Sequence, residues 1–240
     1  MNNNSKNIKL LIGAIYLIVL LTGLYFLFTT IDIRDLTNYE FIRSNKNLIL
    51  HYKNNNFILL SVFFFIFSII WVLLLGFGSP ILLFAGFVFG KWWGILLVSI
   101  STTIGASLLY LLANLFFKDI VEKKLAPKFS GLKKFFKKNE LFYFTIFRFV
   151  GGGGTPYGIQ NVLPVLFNMR IKNYAIGTFI GSLPSMFVTV SLGSGIEQVI
   201  DKNVEINFYK VITSPEIFLP ILGFVTILLF ALVIKKIFFK

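Results

Sequence analysis

The sequence has no cysteine, one histidine and ten acidic residues in 240 positions. Without cysteine there is no disulfide, no thiolate metal site and no cysteine nucleophile. The single histidine, His51, lacks partner ligands for zinc and reads as a structural or surface residue. The acids are missing from the apolar middle: none lies between Trp71 and Phe117, nor between Leu141 and Ser194. Proton-coupled carriers normally hold a buried carboxylate, so proton coupling is disfavoured. No P-loop, H-E-x-x-H or G-x-S-x-G pattern is present. The expectation is therefore no catalytic activity, no cofactor and no metal.

What is there is apolar: 56% of residues are hydrophobic and 14% are charged. A soluble domain carries about 25% charge. The net charge of +13 raises nucleic acid as a partner, but the lysines sit in short loops between apolar runs, which makes them topological signals. Nucleic acid is accordingly not expected.

The apolar runs define a polytopic membrane protein. Residues 10–30 make a first span, too long for a signal-peptide core and without an A-x-A-like cleavage site. Residues 31–56 form a polar link with room for a short interfacial helix, and residues 57–75 a second span. Residues 93–117, 173–195 and 216–239 supply further spans. Lys235, Lys236 and Lys240 place the C-terminus in the cytoplasm. The lysine-rich stretch 118–140 has Phe129, Leu132, Phe135 and Phe136 at helical spacing. It reads either as an amphipathic helix on an anionic leaflet or as a solvated loop, and both readings put it inside.

Two stretches are apolar yet broken. Residues 76–94 contain Gly76, Gly78, Pro80, Gly86, Gly90 and Gly94. Residues 141–170 run through Arg148 into Gly151, Gly152, Gly153 and Gly154, then Pro156, Gln160, Asn161 and Pro164. Irregular backbone at membrane depth is tolerated only against protein or a wet cavity, so both read as re-entrant hairpins. They are related by a shift of 76 residues, which carries Pro80 onto Pro156, Ser101 and Thr102 onto Gly177 and Thr178, and Gly105 and Ala106 onto Gly181 and Ser182. One full span between the hairpins makes an inverted repeat, the plan of many transporters. The same count puts the N-terminus outside, although Lys6 and Lys9 favour the inside.

Arg148 is the leading site candidate. It lies ten residues past Lys138, roughly 15 Å along a helix, where an arginine is costly without a partner or water. A guanidinium suits bidentate phosphate binding, and a glycine run can offer backbone N–H groups to the same anion. Gln160 and Asn161 either line a polar furrow or satisfy carbonyls freed by Pro156 and Pro164. Lys91, beside Trp92 and Trp93, reads as an interfacial anchor. Pro184 kinks its helix, and the small residues Gly86, Gly90, Gly105, Gly177 and Gly181 allow close packing.

The stretch from Phe147 to Ser185, FRFVGGGGTPYGIQNVLPVLFNMRIKNYAIGTFIGSLPS, resembles the signature of the DedA/VTT superfamily, also called SNARE-associated Golgi protein-like. The matching positions are Arg148, Pro156–Tyr157, Asn161, Tyr174, Gly177, Gly181 and Pro184. AGFVFGKWWG, from Ala85 to Gly94, is similar to the family's first-hairpin pattern. The resemblance implies two re-entrant hairpins facing each other and lipid scrambling or flipping, with phospholipid or polyprenyl phosphate as cargo. Members nearer the polyprenyl-phosphate carriers bear acids in or near the first hairpin, and this chain has none there. That favours the branch of small bacterial inner-membrane proteins.

The reading is an all-α polytopic membrane protein: N-terminal helices and linker at 1–75, a core with two re-entrant hairpins at 76–195, and a linker with a last helix at 196–240. Its function is lipid transport of scramblase or flippase type, with anionic membrane lipids as partners and room for a homo-oligomer. The alternatives are an ion- or proton-coupled small-solute transporter and a membrane organiser that transports nothing.

Overall fold

The computed structural model describes residues 39–76, 78–116, 118–201 and 215–238, with scattered positions from Leu11 to Thr29 and Thr213. The described residues form helices and turns with no strand. Seven helices have described ends: α1 (Tyr39–Leu73), α2 (Gly78–Phe116), α3 (Lys118–Lys138), α4 (Glu140–Phe149), α5 (Tyr157–Val162), α6 (Ile171–Asp201) and α7 (Pro215–Phe238). Short 3₁₀ turns cover Gly151–Gly154 and Leu163–Phe167. The positions described between Leu11 and Thr29 are helical, and the Tyr16 hydroxyl donates to the Leu73 carbonyl at 2.8 Å. The stretches Asn55–Leu73, Gly78–Phe116 and Ile171–Ile196 are long and apolar enough to cross a membrane. The chain is an integral membrane protein.

Three of these helices are broken inside, α3 at Phe129. α1 has non-helical backbone at Asn56 and α2 at Gly90. At Gly90 φ is +74°, a conformation open to glycine at no steric cost. A Cβ on Gly94 would lie 2.6 Å from the Ala85 carbonyl oxygen. Nine residues of straight helix span about 13.5 Å, so residues 78–89 and 91–116 fold back on each other around Gly90. Residues 78–89 also run antiparallel to 57–73, because Phe64 packs on both Phe84 and Phe89 while Phe57 packs on Phe89.

The break expected across 76–94 thus resolves into two separate turns, one after Leu73 and one at Gly90. The helix between them runs through Pro80 and Gly86. Pro80 sits in the first turn, where its missing N–H has no helical partner to lose. Gly86 is helical and spent on packing: a Cβ there would lie 1.9 Å from the Val190 carbonyl oxygen of α6.

The centre is a pair of antiparallel long helices, 91–116 of α2 and α6. Tyr110 stacks on Tyr174 at 4.5 Å, and farther along Thr102 approaches the Met186 sulfur. α4 lies against α6 through Gly177 and Gly181. The 76-residue relation seen in the sequence is also present in the contacts. Gly105 faces the Ile69 carbonyl and Val72, while Gly181 faces the Thr145 carbonyl and the Arg148 Cβ. Leu75, at the end of one helical arm, reaches 3.2 Å from where a Cβ on Gly158 would sit, so the two broken segments touch. α7 packs on α6, with Val188 beside Gly223, and its Phe230 meets Phe149 of α4.

Candidate functional site

α4 begins with an Asn139 cap, whose side chain accepts from the Phe142 N–H at 3.1 Å. Ten residues later it ends at Phe149, where the glycine turn takes over. Gly151 and Gly152 both have φ of +65°, and that turn reverses the chain into α5. Arg148 is carried on the last turn of α4, facing α6 and α5.

Arg148 is 3% exposed. Its Nη2 donates to the Asn161 side-chain oxygen at 2.7 Å and to the Tyr174 hydroxyl at 3.0 Å. The Tyr174 hydroxyl donates in turn to the Asn161 backbone carbonyl at 3.1 Å. The guanidinium carbon lies 5.1 Å from the Phe144 ring, 5.7 Å from Tyr174 and 5.9 Å from Tyr157. Such faces attract a cation, but they do not neutralise it. Both hydrogen-bond acceptors of Arg148 are neutral.

Among the described residues, Arg148 Nε and Nη1 have no hydrogen-bond partner. The Tyr157 hydroxyl lies against the Asn161 side chain, and the Thr178 hydroxyl against that of Tyr174. An isolated buried charge costs several kcal/mol, and each unpaired donor adds to it. Guanidinium and amide N–H groups can only donate, and the two hydroxyls can join them. A cluster of donors around a positive charge is complementary to an oxyanion, and the flat fork of Arg148 suits phosphate.

The other candidates from the sequence are placed as follows. Gln160 donates to the carbonyls of Gly151 at 3.1 Å and Thr155 at 2.7 Å, so it ties the glycine turn to α5. Gly152 is pressed against the Gln160 side chain. Thr155 closes the same turn through its hydroxyl, which donates to the Gly152 carbonyl. Gly153 and Gly154 lie in the 3₁₀ turn, and Pro156 is the exposed cap of α5. Pro184 lies inside α6. The Lys91 ammonium stands 5.5 Å from the exposed Trp92 ring, an arrangement suited to an interfacial anchor.

Sequence reasoning did not find the aromatic surroundings of Arg148. Phe144 was part of an apolar arm, and Tyr157 and Tyr174 entered only as positions of a motif. The signal available for Phe144 was its place one helical turn before Arg148. Tyr174→Phe is expected to cost about 1–3 kcal/mol, because it removes a bond to a charged donor and one to a buried carbonyl. Thermal unfolding of the purified variant measures it.

Residues 75–195 match the family described as the VTT domain. A Transmembrane protein 41 homolog from Dictyostelium discoideum is 26% identical over 169 residues, which are 68% of this chain and 49% of that protein. The chain thus spans about half the length of that relative. No solved structure matches it.

Proposed function

The chain belongs to the VTT domain family, and from that premise we propose that it moves lipids across the bilayer, with Arg148 and Asn161 holding the headgroup phosphate. The observation that carries this reading is the buried guanidinium with two unpartnered nitrogens and neutral acceptors, with the Asn161 amide and two hydroxyls beside it. It sits where a broken helix places polar backbone among apolar helices.

The route follows from the two hairpins. The second is α4 with α5 and the 3₁₀ turn after it. It starts at Glu140 and returns to Arg170, and those two residues form an ion pair at 2.9 Å. Both its ends therefore lie on one face. Ten residues of α4 reach roughly 15 Å, half of a 30 Å hydrocarbon layer, so its glycine turn lies near the midplane. The 76-residue relation gives the first hairpin the same plan, with residues 57–73 descending and 78–89 returning. Its far turn at Leu75 meets Gly158 of the second. Facing tips shorten the apolar barrier and leave a polar furrow at Arg148.

This reading also removes the conflict over the N-terminus. Residues 57–73 become a re-entrant arm instead of a full crossing, and the N-terminus moves to the cytoplasmic side. Lys6 and Lys9 then agree with the lysines of 118–140 and of the C-terminus.

The test is transbilayer movement of labelled phospholipid in liposomes holding the purified chain. Movement faster than in empty liposomes is the expected result. Movement equal to empty liposomes, with solute flux driven by a pH or sodium gradient, would transfer the scaffold to the small-solute reading.

A further inference from the structure

A headgroup that reaches Arg148 needs a way in from the face that carries Glu140 and Arg170. A cleft of about 680 Å³ opens there, between α3, the start of α4 and the start of α6. Its charged lining is mixed: Glu122 and Glu140 against Lys138 and Arg170. The Glu140 carboxylate accepts from Arg170 Nε at 2.9 Å and from Asn173 Nδ2 at 2.5 Å. The Arg170 side chain is 81% exposed and that of Glu140 18%. The exposed Arg170 end of this pair is screened by solvent and weakly held, while the Glu140 end is largely buried. Lys138 and Glu122 are exposed on the same cleft.

The cleft's inner wall is aromatic. Phe136 stacks on Phe167 at 4.2 Å and lies 6.2 Å from Phe144. Phe144 in turn lies 5.1 Å from the Arg148 guanidinium. Two rings in succession, Phe136 and Phe144, separate the cleft from the arginine.

We propose that this cleft is the vestibule of the Arg148 site and takes a phosphodiester that also carries a free ammonium group. A purely anionic headgroup would meet Glu122 and Glu140 as like charges. A zwitterion exchanges the Arg170–Glu140 pair for two new pairs, its phosphate on Arg170 and Lys138 and its ammonium on Glu140 and Glu122. No charge is left unpaired by that exchange, and the acids select by repulsion. The onward step to Arg148 rests on the lipid-transport reading; the preference of the cleft does not.

The full chain is reconstituted in liposomes with phosphatidylethanolamine or phosphatidylglycerol, each labelled on an acyl chain so that the headgroup is intact. Dithionite bleaching of the outer leaflet follows the movement. The zwitterionic lipid is expected to move about tenfold faster. Glu122→Gln, at an exposed position outside the ion pair, lowers that ratio, and the Glu122→Gln/Glu140→Gln variant brings the two rates within about twofold. Equal rates in the unaltered chain, or an unchanged ratio in both variants, overturn the proposal. A second arm titrates soluble glycerophosphoethanolamine against the detergent-solubilised chain. Binding that weakens in the double variant, without lipid movement, keeps the cleft as a site for a free phosphodiester and removes the transport reading. Lipid movement with no preference and no binding removes the cleft and leaves transport standing.

Discussion

Arg148→Met is expected to lower lipid movement at least tenfold, a barrier increase of about 1.4 kcal/mol or more, while the melting temperature stays within a few degrees. The argument rests on charge. Arg148 is buried with neutral acceptors and two unpartnered nitrogens, so the resting protein carries its desolvation cost without a counter-charge. Methionine fills much of the same space and removes that cost. The losses are the donors to Asn161 Oδ1 and the Tyr174 hydroxyl, about 1–3 kcal/mol for a buried acceptor left bare. The two effects oppose each other, and stability changes little. A purely structural arginine predicts the reverse pattern, a large stability loss with transport intact in whatever fraction still folds. Arg148→Lys separates charge from shape. It keeps the positive charge and loses the flat fork, so its movement is expected to stay near that of the methionine variant.

The second large effect is on assembly. Gly86→Ala is expected to destabilise the chain by about 1–3 kcal/mol or more, the range for forcing extra methylene volume into a packed core. The added carbon would lie 1.9 Å from the Val190 carbonyl oxygen and 2.9 Å from the Ser194 nitrogen. Those are backbone atoms of α6, and they cannot rotate away. α6 would have to shift from residues 78–89 as a unit. Gly131→Ala is the matched control: nothing lies within 4 Å of its Cβ position in α3, and the change is expected to be neutral or slightly stabilising. Melting temperatures of the two purified variants, compared with the parent, check the contrast.

The parts of this fold legible in the sequence are those written in local chemistry. Long apolar runs announced the spans at 93–117, 173–195 and 216–239, which fall on the helices Gly78–Phe116, Ile171–Asp201 and Pro215–Phe238. The four-glycine run announced the turn after α4, because its first two residues adopt a left-handed backbone. The 76-residue relation was legible because Gly105 and Gly181 serve the same close approach.

What stayed hidden depends on partners distant in sequence. Pro80 looked like a break and instead starts a helix, since a proline in the first turn interrupts no bond. Residues 57–75 read as a span, and Asn55–Leu73 is long and apolar enough to be one; what nothing local reveals is that 78–89 folds back along it. Tyr174 stands 26 positions from Arg148, and no periodicity links a residue on α6 to one at the end of α4. Gln160 and Asn161 looked equivalent as neighbouring amides. The helical turn of α5 separates them, sending Gln160 to the glycine turn and Asn161 to the arginine.

Because the chain has no cysteine, every introduced cysteine reports alone, and a membrane-impermeant thiol reagent tests the doubling-back most directly. Single cysteines at Asn55, Ser79 and Trp92 bracket the first hairpin. The fold proposed here predicts that Asn55→Cys and Trp92→Cys react from the same side of the membrane while Ser79→Cys is protected from both. Reaction of Ser79→Cys from the side opposite to Asn55→Cys would show a through-going helix and contradict it.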